Sequence, residues 1–289
     1  MQIDKIKDNL IKLYQKSLYA LDCDVDKHPI RIIESCKSLI GIDRSLPNKK
    51  LLDFSMDYCE KFTLEEIIFD TTKLNTPMVV TFLDLELSLL DDDKMSSFNN
   101  AYYLTKVSDG RQVLEFLLEF SIKYGTNSFL LIWSILRMEM FSGLKNVLPA
   151  ILVCIRYLIL DTKKRKKISK QSLDDILKKY TVQIKDLDIF LNLYRLNNED
   201  LIRKSKINPY ICSLLKDNCE IEKNLQKGNA LENQLNNGRM WISHYLNDLD
   251  FKEYNVGMLL NLDAFRGCFK ISTSVNEEKI LWSYLNKSL

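Results

Sequence analysis

An all-α fold of about ten to twelve packed helices, arranged as irregular helical hairpins, is predicted by three features of this sequence. Glycine occurs 8 times and proline 5 times in 289 residues. Both fall well below the roughly 7% and 5% of average proteins, so the turn residues of hairpin-rich sheets and phosphate loops are scarce. Apolar residues recur at three- and four-residue spacing along most of the chain, which is the period of a helix face. Hydrophobic residues make up 46% and charged residues 28%, the balance of a folded globular chain that needs no metal or disulfide to hold its core.

The elements follow in order. Ile3, Ile6, Leu10, Leu13 and Tyr14 line one side of an opening helix. Pro29 suits a first helical turn, and Ile32, Ile33, Cys36 and Ile40 form the next stripe before Gly41. Leu51, Leu52, Phe54, Tyr58 and Cys59 mark a third helix, after which Thr63 and Glu66 have the spacing of a capping box. From Leu83 to Leu89, "LDLELSL" alternates like a strand, yet Val79, Val80, Leu83, Leu87 and Leu90 also make a helical stripe behind Thr76 and Pro77. A lone strand would leave its backbone groups unpaired, so a helix is expected there.

Residues 112–124 and 127–160 are the most apolar third, with Gly125 and Gly143 where helix C-termini should fall and Pro149 near the next helix start. Short links make these helices neighbours. Ser172 can cap a short helix, Ile184, Leu187, Phe190, Leu193 and Tyr194 continue the helical period, and further segments begin at Pro209, about Ile221, Arg239, Val256 and Glu277. The charged run Asp161–Lys170 breaks the pattern. The expected organisation is therefore a helical part with the main apolar core over 1–161, a basic linker over 162–171 and a second helical part over 172–289.

The run Leu144–Leu160 superficially resembles a membrane span, but Lys145 and Arg156 interrupt it, and its partner "SFLLIWSILRMEMF" contains Arg137 and Glu139. Such charges cost about 2.5–3.5 kcal/mol each at bilayer depth. A buried core hairpin is expected, with no membrane span. Seven scattered cysteines without a Cys-x-x-Cys pair fit a reducing, intracellular compartment, and the charged N-terminus lacks a signal peptide's apolar stretch, so the mature chain is expected to begin there.

Several side-chain patterns bear on function. Asp22, Asp24 and Asp26 copy the first ligands of a calcium loop, but Lys27 replaces the turn glycine and Ile33 the bidentate glutamate, so helix capping before Pro29 is the expected role. Glu115 and Glu119 lie one turn apart without any Glu-x-x-His, so no di-iron site is expected, and they read as a solvated face or core edge. Glu139 lies in an apolar helix and must find a partner or stay protonated, with Lys145 or Arg156 the expected partner. Around it, Trp133, Met138, Met140, Phe141 and Arg156 could shape an apolar ligand pocket. Lys163, Lys164, Arg165, Lys166 and Lys167 form a basic run expected to be exposed and mobile. It suits a solubilising linker, a nuclear import signal in a eukaryote, or a phosphate contact.

The stretch "GRMWISHYLNDL" places Arg239 five residues before His244. This spacing resembles the Arg-x4-6-His signature of HEPN ribonucleases. The resemblance implies an RNA-cleaving homodimer in which Arg239 would stabilise phosphate charge and His244 would assist attack by the 2′-hydroxyl. Met240 stands where that family usually has a polar residue. On a regular helix the two side chains diverge by about 140°, so they could meet only those of a second copy. Trp241, Ile242, Tyr245, Leu246 and Leu249 form the core face of that helix.

No phosphate loop, nucleophile elbow or zinc-protease helix is present, and no cofactor is implied. The expected role is a helical interaction module or complex subunit that offers interhelical grooves to a protein partner. The alternatives are the ribonuclease dimer and an enzyme or carrier with a ligand pocket within 112–160.

Overall fold

A computed structural model describes residues 2–20, 23–65, 79–168, 182–184, 187–217, 219–221, 230–272 and 275–289. The helices are α1 (Gln2–Ser17), α2 (Pro29–Ile40), α3 (Lys49–Cys59), α4 (Phe82–Leu90), α5 (Lys94–Val107), α6 (Gly110–Tyr124) and α7 (Phe129–Ser142). They continue as α8 (Val147–Leu160), α9 (Leu187–Asn197), α10 (Lys204–Asp217), α11 (Glu232–Asn237), α12 (Met240–Asp248), α13 (Val256–Ile271) and α14 (Val275–Ser288). A short antiparallel ladder pairs β1 (Val182–Ile184) with β2 (Cys219–Ile221), Val182 opposite Ile221. The predicted helical class holds, with fourteen α-helices among the described residues instead of ten to twelve.

One unpredicted helix, α5, shows why the count differs. Its buried residues are Ser97, Phe98, Ala101 and Leu104, two of them small, so its apolar period is faint. Asp93 caps it, accepting from the Ser96 N–H at 3.0 Å. The alternating "LDLELSL" is helical, as α4, and its cap is Thr81, paired with Asp84 in a capping box. Thr76, Pro77, Glu66 and Ser172 lie outside the described residues. Ile184 and Ile221 fall in the small ladder and not in helices. Pro209 lies inside α10, which starts five residues earlier at Lys204. Burial of Ile207 with Ile211, Leu214 and Leu215 holds the turn that the missing proline N–H would weaken.

Gly125 and Gly143 end α6 and α7 in the left-handed conformation, at φ 64° and 79°, as helix-terminal glycines should. The cap of α2 is a correction. His28, fully buried, supplies it by accepting the Ile30 N–H at Nδ1 (3.2 Å). The described aspartates before it do not cap α2: Asp24 makes no side-chain cap bond, and Asp26 pairs with Arg31 at 3.5 Å.

Helix α2 packs against α1, α3, α7 and α13, while α6, α7 and α8 pack on one another. Helix α13 also lies against α9, and α10 against α6. Helices from both sides of the basic run therefore share one buried hydrophobic cluster. The run is exposed at Lys164, Arg165 and Lys167, as expected, and its backbone is tied to α6. Its Lys164 and Lys166 N–H groups donate to the Tyr124 and Lys123 carbonyls at 2.9 and 2.8 Å, and Lys163 pairs with Asp92. These bonds satisfy carbonyls left unpaired at the end of α6. No helix among the described residues is long and apolar enough to cross a membrane.

Candidate functional site

Burial along two central helices locates the site. Every residue of α2 is buried except Lys37, and every residue of α7 except Arg137, Met140 and Phe141. All four line one cavity of about 880 Å³. Helix α1 contributes Ile3, Ile6, Lys7 and Leu10, the end of α9 and the turn after it contribute Arg195 and Glu199, and α13 contributes Arg266, Gly267, Lys270 and Ile271. One wall is thus apolar and aliphatic, with Trp133 and Phe141 as its aromatic members.

The facing wall presents Lys37, Arg137, Arg195 and Arg266, and the carboxylates that hold them, Glu34 and Asp263, lie behind the lining. Asp263, 3% exposed, binds Arg266 at 2.8 Å, Arg195 at 3.1 Å and Arg137 at 3.3 Å. Burial disfavours its charge, but the three guanidinium groups outweigh that and hold its carboxyl far below the usual range. Glu34 receives three donors on one oxygen: Arg137 at 2.8 Å, Ser38 at 2.9 Å and Lys37 at 3.3 Å. Burial, and then repulsion from Arg195, lower the pKa of Arg137, with Glu34 and Asp263 opposing. Burial opposes the charge on Arg195 also, but there Asp263 and Glu34 win and raise its pKa.

Arg195 reaches this network because of a glycine. A Cβ on Gly267 would stand 2.5 to 2.8 Å from the Arg195 Cδ, Nε and Cζ atoms, and glycine inside a helix costs about 1 kcal/mol relative to alanine. The helix sacrifices stability to seat a guanidinium.

The network carries surplus positive charge. Lys37, Arg137, Arg195 and Arg266 share three carboxylates, Glu34, Asp263 and Glu199. Arg111 and Glu115, paired at 2.8 Å, cancel. Among the described lining residues, the exposed Lys7, Arg44 and Lys270 stand with Asp4 and Asp200 at the rim. Two positive charges are left over in a concave site.

No family model, curated protein or solved structure matches the chain. Function rests on geometry.

Of the expected pocket residues, Trp133, Met140 and Phe141 line the cavity. Met138 and Glu139 are fully buried on the opposite side of α7, and Arg156, on α8, is not part of the lining. The described partners of Glu139 are other groups than the expected Lys145 or Arg156. Its carboxylate accepts from the Tyr14 hydroxyl at 2.7 Å and the Asn146 N–H at 3.1 Å, because α1 packs across α7. Burial raises the Glu139 pKa in spite of both bonds. Glu115 is likewise no solvated residue: fully buried, it accepts from Arg111 and from the Arg203 N–H, while Glu119 binds the Arg203 side chain at 2.6 Å. This pair anchors the α9–α10 turn to α6.

Arg239 and His244 are both exposed on α12. Arg239 has helical backbone angles, φ −57° and ψ −25°, so the pair diverges by about 140° and one chain does not bring them together. The core face of α12 is as expected, with Ile242 and Leu246 buried and Trp241 stacked on Tyr245 at 5.1 Å. Among the described residues no cluster of His, Cys, Asp and Glu has a metal-binding arrangement.

Asp263, Arg195 and Arg266 escaped sequence reasoning. A signal was available: Asp263, Arg266 and Gly267 interrupt the apolar α13 sequence "VGMLLNLDAFRGCFKI", and a glycine inside a helical pattern suggests close approach of another group.

Proposed function

We propose that this protein binds a small organic anion in the cavity between α1, α2, α7, α9 and α13. The observation that carries this reading is the surplus of two positive charges around a concave site. Its volume, about 880 Å³, falls in the range of small-molecule sites, roughly 300–1,000 Å³. A buried cationic wall opposite an apolar one suits a ligand with an acidic head and a hydrocarbon or ring body. The occupant's charge would offset the mutual repulsion of Arg137, Arg195 and Arg266, so binding and folding are coupled.

Thermal unfolding with pyrophosphate, citrate and adenosine monophosphate, each against chloride of equal ionic strength, tests this. At least one anion should stabilise the chain saturably, and Arg266→Ala should weaken its binding about tenfold, or about 1.4 kcal/mol. Stabilisation absent for all of them, or identical in the variant, would refute the site.

A second reading, as a helical interaction module, draws on α4. Leu83, Leu87 and Leu90 form a ridge at i, i+4 and i+7, exposed by 61%, 50% and 37%, and a ridge of this kind suits a partner helix laid alongside. Under that reading Leu87→Glu abolishes a unit-stoichiometry complex from the native host, and survival of the complex counts against it.

A further inference from the structure

We propose that Lys37 is a carbonyl-reactive amine, which takes an anionic aldehyde or 2-oxo acid from the cavity as a Schiff base. The inference rests on the anion-binding reading above and goes beyond it by assigning a covalent step. Four observations converge on this lysine.

First, it is the one side chain of α2 that leaves the core, and it leaves into the cavity. Second, it is sequestered there: its side chain is 12% exposed, and the Phe141 ring centroid lies 5.2 Å from Nζ. Third, its contact is the longest of the three on the shared carboxylate. Glu34 Oε1 is closer to Arg137 (2.8 Å) and Ser38 (2.9 Å) than to Lys37 (3.3 Å), so the amine can turn away without stripping the carboxylate of partners. Fourth, a fixed guanidinium, Arg137, shares that carboxylate. A neighbouring cation favours the neutral amine, the nucleophilic form, as does desolvation. In keeping with this, burial lowers the Lys37 pKa to about 8, with Arg137 adding to the shift and Glu34 opposing it.

The same wall selects the reactant. A carboxylate or phosphate held by Arg266 and Arg137 brings an attached carbonyl carbon toward Nζ. The step balances without any further reagent. The amine nitrogen bonds to the carbonyl carbon, and the carbonyl oxygen takes up two of the protons of the original ammonium and departs as water. A protonated imine remains, with the net charge unchanged. Glu34 can relay a proton between the two atoms.

The test treats the intact chain with pyridoxal 5′-phosphate and, in a parallel arm, with pyruvate, followed by borohydride reduction and peptide mapping by mass spectrometry. The two arms separate a phosphate-bearing from a carboxylate-bearing reactant. Lys37 should carry the reduced adduct in at least one arm, at ten times or more the occupancy of Lys7 and Lys270. Labelling should grow with pH through about 8 and fall tenfold in Lys37→Arg, which keeps the charge but cannot form the imine. Mapping in the wild type makes the result independent of how well that variant folds. Label on Lys7 or Lys270 at equal or greater occupancy overturns the inference. So does saturable, reversible binding of either compound with no adduct at Lys37, and that outcome leaves the anion site standing. Neither binding nor adduct overturns both.

Discussion

Just behind the cavity wall Asp263 meets three guanidinium groups within 3.3 Å, whereas in the core behind α7 Glu139 has, among the described residues, a phenol and one backbone N–H. Both side chains are essentially buried. Their carboxyls shift in opposite directions, Asp263 down and Glu139 up. Buried His28 belongs with Glu139. Its Nδ1 accepts the Ile30 N–H, its Nε2 has no hydrogen-bond partner among the described residues, and its ring meets Tyr157 edge to face at 5.4 Å. Burial works against charge at all three groups, and only at Asp263 do several opposite charges outweigh it. The surplus of charge at the first place is what makes it a site.

The largest effect expected on that contrast comes from Asp263→Asn. It leaves Arg137, Arg195 and Arg266 buried beside one another without their common counter-ion, and breaking a buried network this way costs about 3–5 kcal/mol. Chemical denaturation reads the loss. A multivalent anion such as pyrophosphate should restore a large part of it, because its charge offsets the same guanidinium groups from the cavity side; no loss, or no recovery, would break the comparison. In the wild type this stabilisation is present above pH 3.8, the ordinary carboxyl value, and is lost as pH falls toward the much lower folded value.

His28 gives the next effect, with a different pH signature. Burial, then repulsion from Arg31 and Arg156, lower its pKa from 6.5 to about 3. Between those values the unfolded chain binds a proton that the folded chain refuses, so stability must fall as pH drops through the window. By pH 5 the deficit reaches about 2 kcal/mol. His28→Asn keeps a capping side chain and should remove this dependence between pH 7 and 5, whatever it does to absolute stability. An unchanged slope in the variant would show that His28 is not held neutral.

Gly267→Ala comes third. Alanine gains about 1 kcal/mol in helix propensity, but its Cβ falls where the Arg195 guanidinium lies, and overpacking of this kind costs about 1–3 kcal/mol. A net loss of up to about 2 kcal/mol is expected, with weaker anion binding. A more stable variant that binds as well as the wild type would mean that Arg195 can move without consequence.

What the sequence made legible divides along the same line. Apolar period placed α1, α2, α6, α7 and α8, and glycines marked the ends of α6 and α7, because those signals are local. Burial of Glu139 was legible from its apolar neighbours, but its partner was not, since Tyr14 lies 125 residues away. The cavity wall was nearly invisible for a related reason. Arg137, Arg195 and Asp263 come from three helices, and each alone has the composition of a solvated residue. Only the misplaced glycine of α13 hinted that a charged group crosses that helix.

The smallest expected effect belongs to Glu139→Gln, and it tests whether the core side of the comparison is truly neutral. The Glu139 pKa is raised above 4.5, so above that pH the unfolded chain gives up its proton more readily than the folded chain. Stability contributed by the protonated form is therefore lost as pH rises from about 4.5 through the folded value. Glutamine stays neutral throughout and still accepts the Tyr14 hydroxyl, at the cost of turning one donor toward the Asn146 N–H. The stability of the variant relative to wild type should rise as pH climbs from 4.5 toward 7. A relative stability that falls over this interval would mean that Glu139 is ionised and paired like Asp263, and the distinction between the two buried regions would then be one of geometry and not of charge.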